Sequence, residues 1–236
     1  IGEATAHLLA AQGYDLIING RRLDKLEAQA AELNVKYGIS THLMHLDVRD
    51  ADAVIHFFTT LPEAWRAIDV VVNNAGLAAG LDNIENGSID DWNRMIDTNV
   101  KGLLYVTKSA IPLLKQTKGH IVNVGSIAGK EVYPNGNVYC GTKHMVDALN
   151  KAMRRELAES GIRVSAVHPG AVETEFSLVR LEGDTVKASA VYEGFENLVA
   201  EDIASAIGYI VSRPKHVNIN EITIMPTAQP AAGWRQ

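Results

Sequence analysis

The stretch GSIAGKEVYPNGNVYCGTK, residues 125–143, sets Ser126, then Tyr139 thirteen positions on, then Lys143 four beyond that. Ser126 closes the apolar run HIVNVGS (120–126), which reads as a strand. Its hydroxyl is therefore expected at the carboxyl edge of a sheet, the edge at which α/β proteins bind ligands. Tyr139 and Lys143 fall in a helical segment, and residues four apart share one helix face. A free phenol titrates at about 10, too high for proton transfer at neutral pH. A neighbouring ammonium favours the phenolate, and a pKa brought toward the working pH suits general acid–base catalysis. A serine hydroxyl beside such a phenol can hold a substrate oxygen. The trio reads as a proton-transfer device for a carbonyl/alcohol pair. The pair YxxxK alone is weak evidence: Tyr209 and Arg213 repeat the spacing in a late helical segment and carry no such reading. Specificity comes from the strand-end serine followed by the helix-borne pair.

Such a device needs elements that hold it. Six short apolar runs read as strands: 14–19, 41–46, 68–73, 120–126, 162–168 and 221–226. They show little polar alternation, as expected for strands covered on both faces. Between them lie helical patterns at 2–12, 23–37, 50–60, 89–117, 137–160 and 200–212. This alternation predicts an α/β fold, a Rossmann-like doubly wound parallel sheet in three layers. Residues 1–236 are expected to form a single dinucleotide-binding domain. Segment 174–199 breaks the rhythm and is longer than an ordinary connection, so it is expected to be a substrate lid. The chain opens on IGEATAHLLAAQG, a helix with no strand before it. The logic of the βα unit expects a first strand and turn ahead of Ile1, missing from the chain as given. The alternative is a fold that starts with a helix.

Further residues sit where strands end. Arg21 and Arg22 follow the strand 14–19 through Gly20, with no carboxylate there. In a dinucleotide fold an acidic residue at this tip binds the ribose of NAD, whereas arginine accommodates the 2′-phosphate of NADP. The alternative is a solvated basic turn. Asp47 and Val48 end the next strand, where a carboxylate and a backbone amide can meet an adenine ring; Asp47 is equally read as part of a helix N-cap region. Asn73-Asn74-Ala75-Gly76 follows the strand 68–73 with residues that tolerate a tight turn and leave room for a flat ring. Asn99, inside 89–117, is a mediocre helix former; by itself it reads as a surface residue, or as one opening the backbone to a water. Cys140 reads as a small core residue and His168 as structural. His42 and His45 are placed on opposite faces of their strand, and no carboxylate/His cluster with metal-ligand spacing is found, so no metal is expected.

Bulk properties limit the alternatives. The chain has 236 residues, a net charge of −6 and a single cysteine. An acidic chain without a basic stripe argues against a nucleic-acid partner. No apolar run reaches membrane-spanning length, and no secretory signal peptide is read at its start. One cysteine rules out an intramolecular disulfide and fits a reducing, cytoplasmic setting.

On Asn73-Asn74-Ala75-Gly76, Asn99, Ser126, Tyr139, Lys143 and Pro169-Gly170 with Thr174, the chain resembles a short-chain dehydrogenase/reductase over essentially its whole length. The family's glycine-rich TGxxxGxG turn is represented only by its last glycine, Gly2. The resemblance implies that Tyr139 is the acid/base. It makes Lys143 the residue that lowers the tyrosine pKa and holds the nicotinamide ribose. Ser126 becomes the substrate-oxygen anchor, and Asn99 the support of a water linked to Lys143. Asn74, Ala75 and Gly76 would face the cofactor, with Pro169, Gly170, Val172 and Thr174 around the nicotinamide carboxamide. TEFSLVR (174–180), HVNINEITIMPTAQ (216–229) and the GRR turn resemble more narrowly the NADP-dependent 3-hydroxy acid dehydrogenases, which oxidise serine and allo-threonine. Such substrates carry a carboxylate, and Arg180 in the lid is the expected anchor, bidentate contact being its usual mode; a solvated lid charge is the alternative. The family habit implies a homotetramer. Expected function is therefore an NADP-dependent oxidoreductase of small 3-hydroxy acids. The alternatives are a reductase of other small carbonyls or 3-oxoacyl thioesters, and a dinucleotide-binding sensor without turnover. A last reading, an unstable fragment, follows from the cost of losing a central strand.

Overall fold

The computed structural model describes residues 1–233. All six apolar runs appear as strands: β1 (Leu16–Gly20), β2 (Thr41–His45), β3 (Val70–Asn73), β4 (His120–Val124), β5 (Arg163–Pro169) and β6 (Glu221–Ile224). The helices are α1 (Gly2–Ala11), α2 (Leu23–Tyr37), α3 (Ala51–Thr60), α4 (Ile89–Ile96), α5 (Leu103–Thr117), α6 (Asn137–Glu156), α7 (Phe176–Arg180), α8 (Thr185–Ala190) and α9 (Ala200–Val211). Local signals set several ends. Asp50 caps α3 by accepting from the Ala53 amide at 2.9 Å, and Gly38 ends α2 in the left-handed region at φ 68°, where glycine carries no Cβ penalty.

Every strand pair is parallel, but the strands form two sheets, β1-β2 and β3-β4-β5-β6. No ladder joins β1 to β3 among the described residues, the position at which the sequence leads one to expect a further strand. In β4 all five residues are buried, because helices cover both faces. On one side Leu103, Ala110, Leu113 and Leu114 of α5 and Val146 and Met153 of α6 pack with Ile121 and Val164. On the other, Leu9 of α1 and Ile203, Ile207 and Ile210 of α9 pack with Val122, Val124 and Val167. Ala6 and Ala10 of α1 meet Ile18, Leu26, Ala30 and Leu33. The result is three layers, with α1 shared between the two sheets. Burying a side chain of Leu or Ile size contributes about 1.5–3 kcal/mol, so these layers fix the strand ends that carry the site.

The predicted helix 89–117 is interrupted. Residues Asp97–Gly102 form a π-helical turn between α4 and α5. Segment 174–199 holds the short helices α7 and α8, and Val172 pairs with Leu198 in an isolated parallel bridge, which ties the two ends of the segment together.

Candidate active site

Ser126 leaves β4 and caps the 3₁₀ turn Ile127–Gly129, accepting from the Ala128 amide at 3.1 Å. That turn lies directly on α6. A Cβ on Gly129 would stand 2.5 Å from the Lys143 carbonyl oxygen, so only glycine lets the serine turn approach the helix this closely. The contact brings Ser126 near Tyr139, where the serine hydroxyl favours the ionised phenol. Tyr139 is buried and packs against Phe176, ring centroids 5.7 Å apart. Burial pushes the Tyr139 phenol far above its ordinary range; the neighbouring Tyr133 adds to this, while the Ser126 hydroxyl and the Arg180 charge oppose it.

Lys143 is 6% exposed. Its Nζ donates to the Val124 carbonyl at 3.0 Å, and burial lowers its pKa to about 8. A Cβ on Gly76 would lie 3.4 Å from that Nζ and 3.3 Å from Asn99 Oδ1. The turn after β3 thus leaves a cradle over the lysine that any side chain would fill.

Asn99 is buried, which corrects the reading of it as a surface residue. It accepts from the Leu77 amide at 2.8 Å and donates to the Leu77 carbonyl at 2.8 Å and to Thr142 Oγ1 at 3.0 Å. The π-helical turn places it there, and such turns gather at functional sites. Asn73, just before the Asn74-Ala75-Gly76 turn, donates to Thr107 and Asn123, and Asn123 to Asn150, so the turn rests on a buried polar ladder.

At the tip of β1, Arg22 Nη2 donates to Glu175 Oε2 at 2.9 Å and Lys25 Nζ to Oε1 at 3.0 Å. The two cations hold the Glu175 carboxyl down at about 2. Both cations thus converge on one anion. Arg21 contributes only its carbonyl, to His45. Arg49 donates to both carboxylate oxygens of Asp47, from Nε to Oδ1 at 3.0 Å and from Nη2 to Oδ2 at 2.6 Å, leaving Asp50 as the helix cap. Val48 is buried, and a Cβ on Gly102 would stand 2.6 Å from its Cγ2. Gly2 lies close to Asn74, whose Nδ2 a Cβ would meet at 2.6 Å. Pro169 ends β5, and the Gly170 amide donates to the Ile224 carbonyl at 2.7 Å. Thr174 takes the Phe176 amide at 3.3 Å.

Arg180 is not a solvated lid charge. It is 9% exposed; its Nε donates to the Gly80 carbonyl at 3.0 Å and its Nη1 to the Tyr133 hydroxyl at 3.0 Å. It faces a cleft lined by Asp91, Trp92, Asn137 and Tyr139. Tyr133, Lys25 and Glu175 were missed in the sequence. Only the EVYPNG spacing ahead of Tyr139 hinted at the first, and nothing local pointed to the others.

His168, read as structural, is fully buried at the end of β5. Asp147, His168 and Glu221 offer ligand atoms within 4.8 Å of one another, a cluster no sequence spacing revealed. Lys130 Nζ already lies 2.8 Å from Asp147 and 2.7 Å from Glu221, so a resident ammonium balances the two carboxylates. His42 packs against Phe57 and Trp65, and Cys140 is buried beside Tyr139. No helix among the described residues is long and apolar enough to cross a membrane.

Comparison with known proteins agrees with this arrangement. A model of the short chain dehydrogenase family matches residues 1–183. A serine 3-dehydrogenase of Agrobacterium fabrum is 41% identical over 99% of this chain and 92% of its own. An NADP-dependent 3-hydroxy acid dehydrogenase YdfG of Salmonella typhimurium is 42% identical over 98% of this chain and 93% of its own. Among solved structures, the closed form of a serine dehydrogenase complexed with NADP+ superposes with a TM-score of 0.91 at 39% identity, covering 100% of this chain and 94% of that one. Likeness at that level along nearly the full length of both partners, added to the serine turn seated on α6, leads to one conclusion: the chain belongs to the short-chain dehydrogenase family.

Proposed function

We propose that the protein is an NADP-dependent oxidoreductase acting on the hydroxyl-bearing carbon of small 3-hydroxy acids such as serine or allo-threonine. One observation carries this reading: Arg180 is buried with its guanidinium beside the Tyr139 ring, 5.7 Å from the centroid, which puts a carboxylate anchor within a small substrate's length of the reacting hydroxyl. The names of the relatives support the substrate class. The Arg22–Lys25 pair on one anion and the open cradle at Gly76 support the cofactor.

When bound, NADP+ supplies the hydride acceptor. The chain's own groups do the rest. Ser126 holds the substrate hydroxyl against Tyr139, and the Tyr139 phenolate takes the hydroxyl proton as the carbon is oxidised. Lys143 supplies positive charge one helical turn from the phenol and would hold a ribose hydroxyl. Asn99 supports the turn at Leu77 and a water leading the proton toward solvent. Arg22 and Lys25, with Arg21 nearby, would hold the 2′-phosphate, and Asp47 and Val48 would hold the adenine. Gly2, Asn74, Ala75 and Gly76 would bind along the cofactor, and Pro169, Gly170, Val172 and Thr174 would hold its carboxamide. Residues 1–236 act as one domain with 174–199 as lid. A homotetramer paired through the helical segments 89–117 and 137–160, in the cytoplasm, completes the reading; Ile96 of α4 and Met145 of α6 are exposed apolar side chains in these segments.

The test follows the near-ultraviolet absorbance of reduced nicotinamide with NADP and then NAD, against L-serine, L-allo-threonine, 3-hydroxyisobutyrate and a simple secondary alcohol. Turnover of the hydroxy acids with NADP is expected. Turnover of the alcohol alone, or with NAD alone, overturns the assignment of Arg180 or of Arg22.

A further inference from the structure

Tyr139 must ionise to take a proton, and its surroundings resist this. The groups around it come from several elements. Ser126 comes from the turn after β4, Tyr133 from the loop before α6, Cys140 from α6 itself, and Phe176 and Arg180 from α7. Asp82 and Asp91 line the cleft that Tyr139 shares with Arg180, and Asp91 is paired with Arg94 at 2.9 Å. Lys143, one turn along α6, points its ammonium at the Val124 carbonyl. Burial also brings it to about 8, so part of its charge is gone in mildly alkaline solution.

Arg180 is different in kind. Arginine keeps its proton across the working range of enzymes. Its guanidinium lies between two tyrosine rings, 5.8 Å from the Tyr133 centroid and 5.7 Å from that of Tyr139. Its place is fixed by the Gly80 carbonyl, the Tyr133 hydroxyl and the return bond from the Gly80 amide to the Arg180 carbonyl at 3.1 Å. A cation over an aromatic face is attracted to it, and a phenolate strengthens that attraction by bringing a full negative charge.

On the reading that Tyr139 carries the proton, we propose that Arg180 is the second cation of the proton-transfer device, a positioning residue set by Tyr133 and Gly80 that holds the Tyr139 phenolate whether or not the substrate bears a carboxylate. Lys143 then supplies a charge that fades with rising pH, and Arg180 one that does not. Because Arg180 lies within 174–199, the second charge is carried by the lid.

The experiment compares wild type, Arg180→Met and Arg180→Lys, using a secondary alcohol with no carboxylate. With Arg180→Met the limb of kcat/KM that rises with pH in alcohol oxidation should move up by about one pH unit. The rate should recover toward wild type at high pH, and Arg180→Lys should restore most of the profile. Ultraviolet titration of phenolate, taken as the difference from Tyr139→Phe in each background, should show the same displacement without any turnover. An unchanged alcohol profile and an unchanged titration, with only KM for hydroxy acids raised, would confine Arg180 to substrate binding and overturn the proposal. Wild-type turnover retained in Tyr139→Phe would instead overturn the assignment of the proton to Tyr139, and the titration still decides what Arg180 does to that phenol.

Discussion

Tyr139–Lys143 on α6 and Tyr209–Arg213 at the end of α9 share one spacing, a tyrosine with a cation four residues later. Their surroundings differ. Tyr209 is 50% exposed, and Arg213 folds back over its ring at 4.3 Å while donating to the Tyr209 carbonyl at 3.1 Å. That pair is closed on itself in water. Lys143 instead is buried against the Val124 carbonyl, and Tyr139 meets a serine at a strand end. Spacing determines only which residues share a face. The strand edge and the glycine at 129 turn one such face into a site, because burial makes both titrations depend on neighbours.

The largest effect that tests this contrast is Tyr139→Phe, expected to lower kcat by about 10³-fold, while Tyr209→Phe leaves turnover within about twofold of wild type. Steady-state kinetics on the two variants break the contrast if both lose or both keep activity. Next comes Lys143→Met, expected to cost about 10²-fold or more in kcat/KM, against no measurable loss for Arg213→Met.

How far each region was legible in the sequence follows the same division. The six strands were readable because apolar β-rich runs between turn residues are a local signal. Which strands pair with which was not, since pairing is decided across the chain. The helix 89–117 kept its apolar pattern through Asp97–Gly102, so the π turn was invisible; it depends on Asn99 bonding to Leu77 and Thr142. Ser126, Tyr139 and Lys143 were legible through spacing tied to a strand end. Arg180 was visible as a residue but not as a neighbour of Tyr139, because Tyr133 and Tyr139 belong to a distant part of the chain. Lys25 and Glu175, 150 positions apart, left no local mark, and neither did Asp147, His168 and Glu221.

A third contrast sets Arg22 against Arg213. Both are surface cations, but Arg22 and Lys25 are aimed at one anion. Arg22→Ala should weaken binding of 2′,5′-ADP by about ten- to a hundredfold and leave 5′-AMP unchanged, as read by calorimetry. Arg213→Ala should change neither.

The smallest expected effect concerns the lid contact. The Glu175 carboxyl is lowered from 4.5 to about 2 in the folded protein. Its attachment to Arg22 and Lys25 is therefore fully present above pH 4.5 and lost as pH falls toward 2. Because all three groups are exposed, the gain is modest. Pepsin cleavage within 174–199, normalised to Glu175→Gln, should accelerate across that window; a constant ratio would show that the contact does not hold the lid.

The most direct test of the central claim follows a label. A 3-hydroxy acid deuterated at its hydroxyl-bearing carbon is turned over with NADP+, and the reduced cofactor is examined by mass spectrometry. Deuterium in the NADPH, absent when Tyr139→Phe is used, is the predicted result. Consumption of the acid with deuterium released to water and none on the cofactor would contradict hydride transfer at this site.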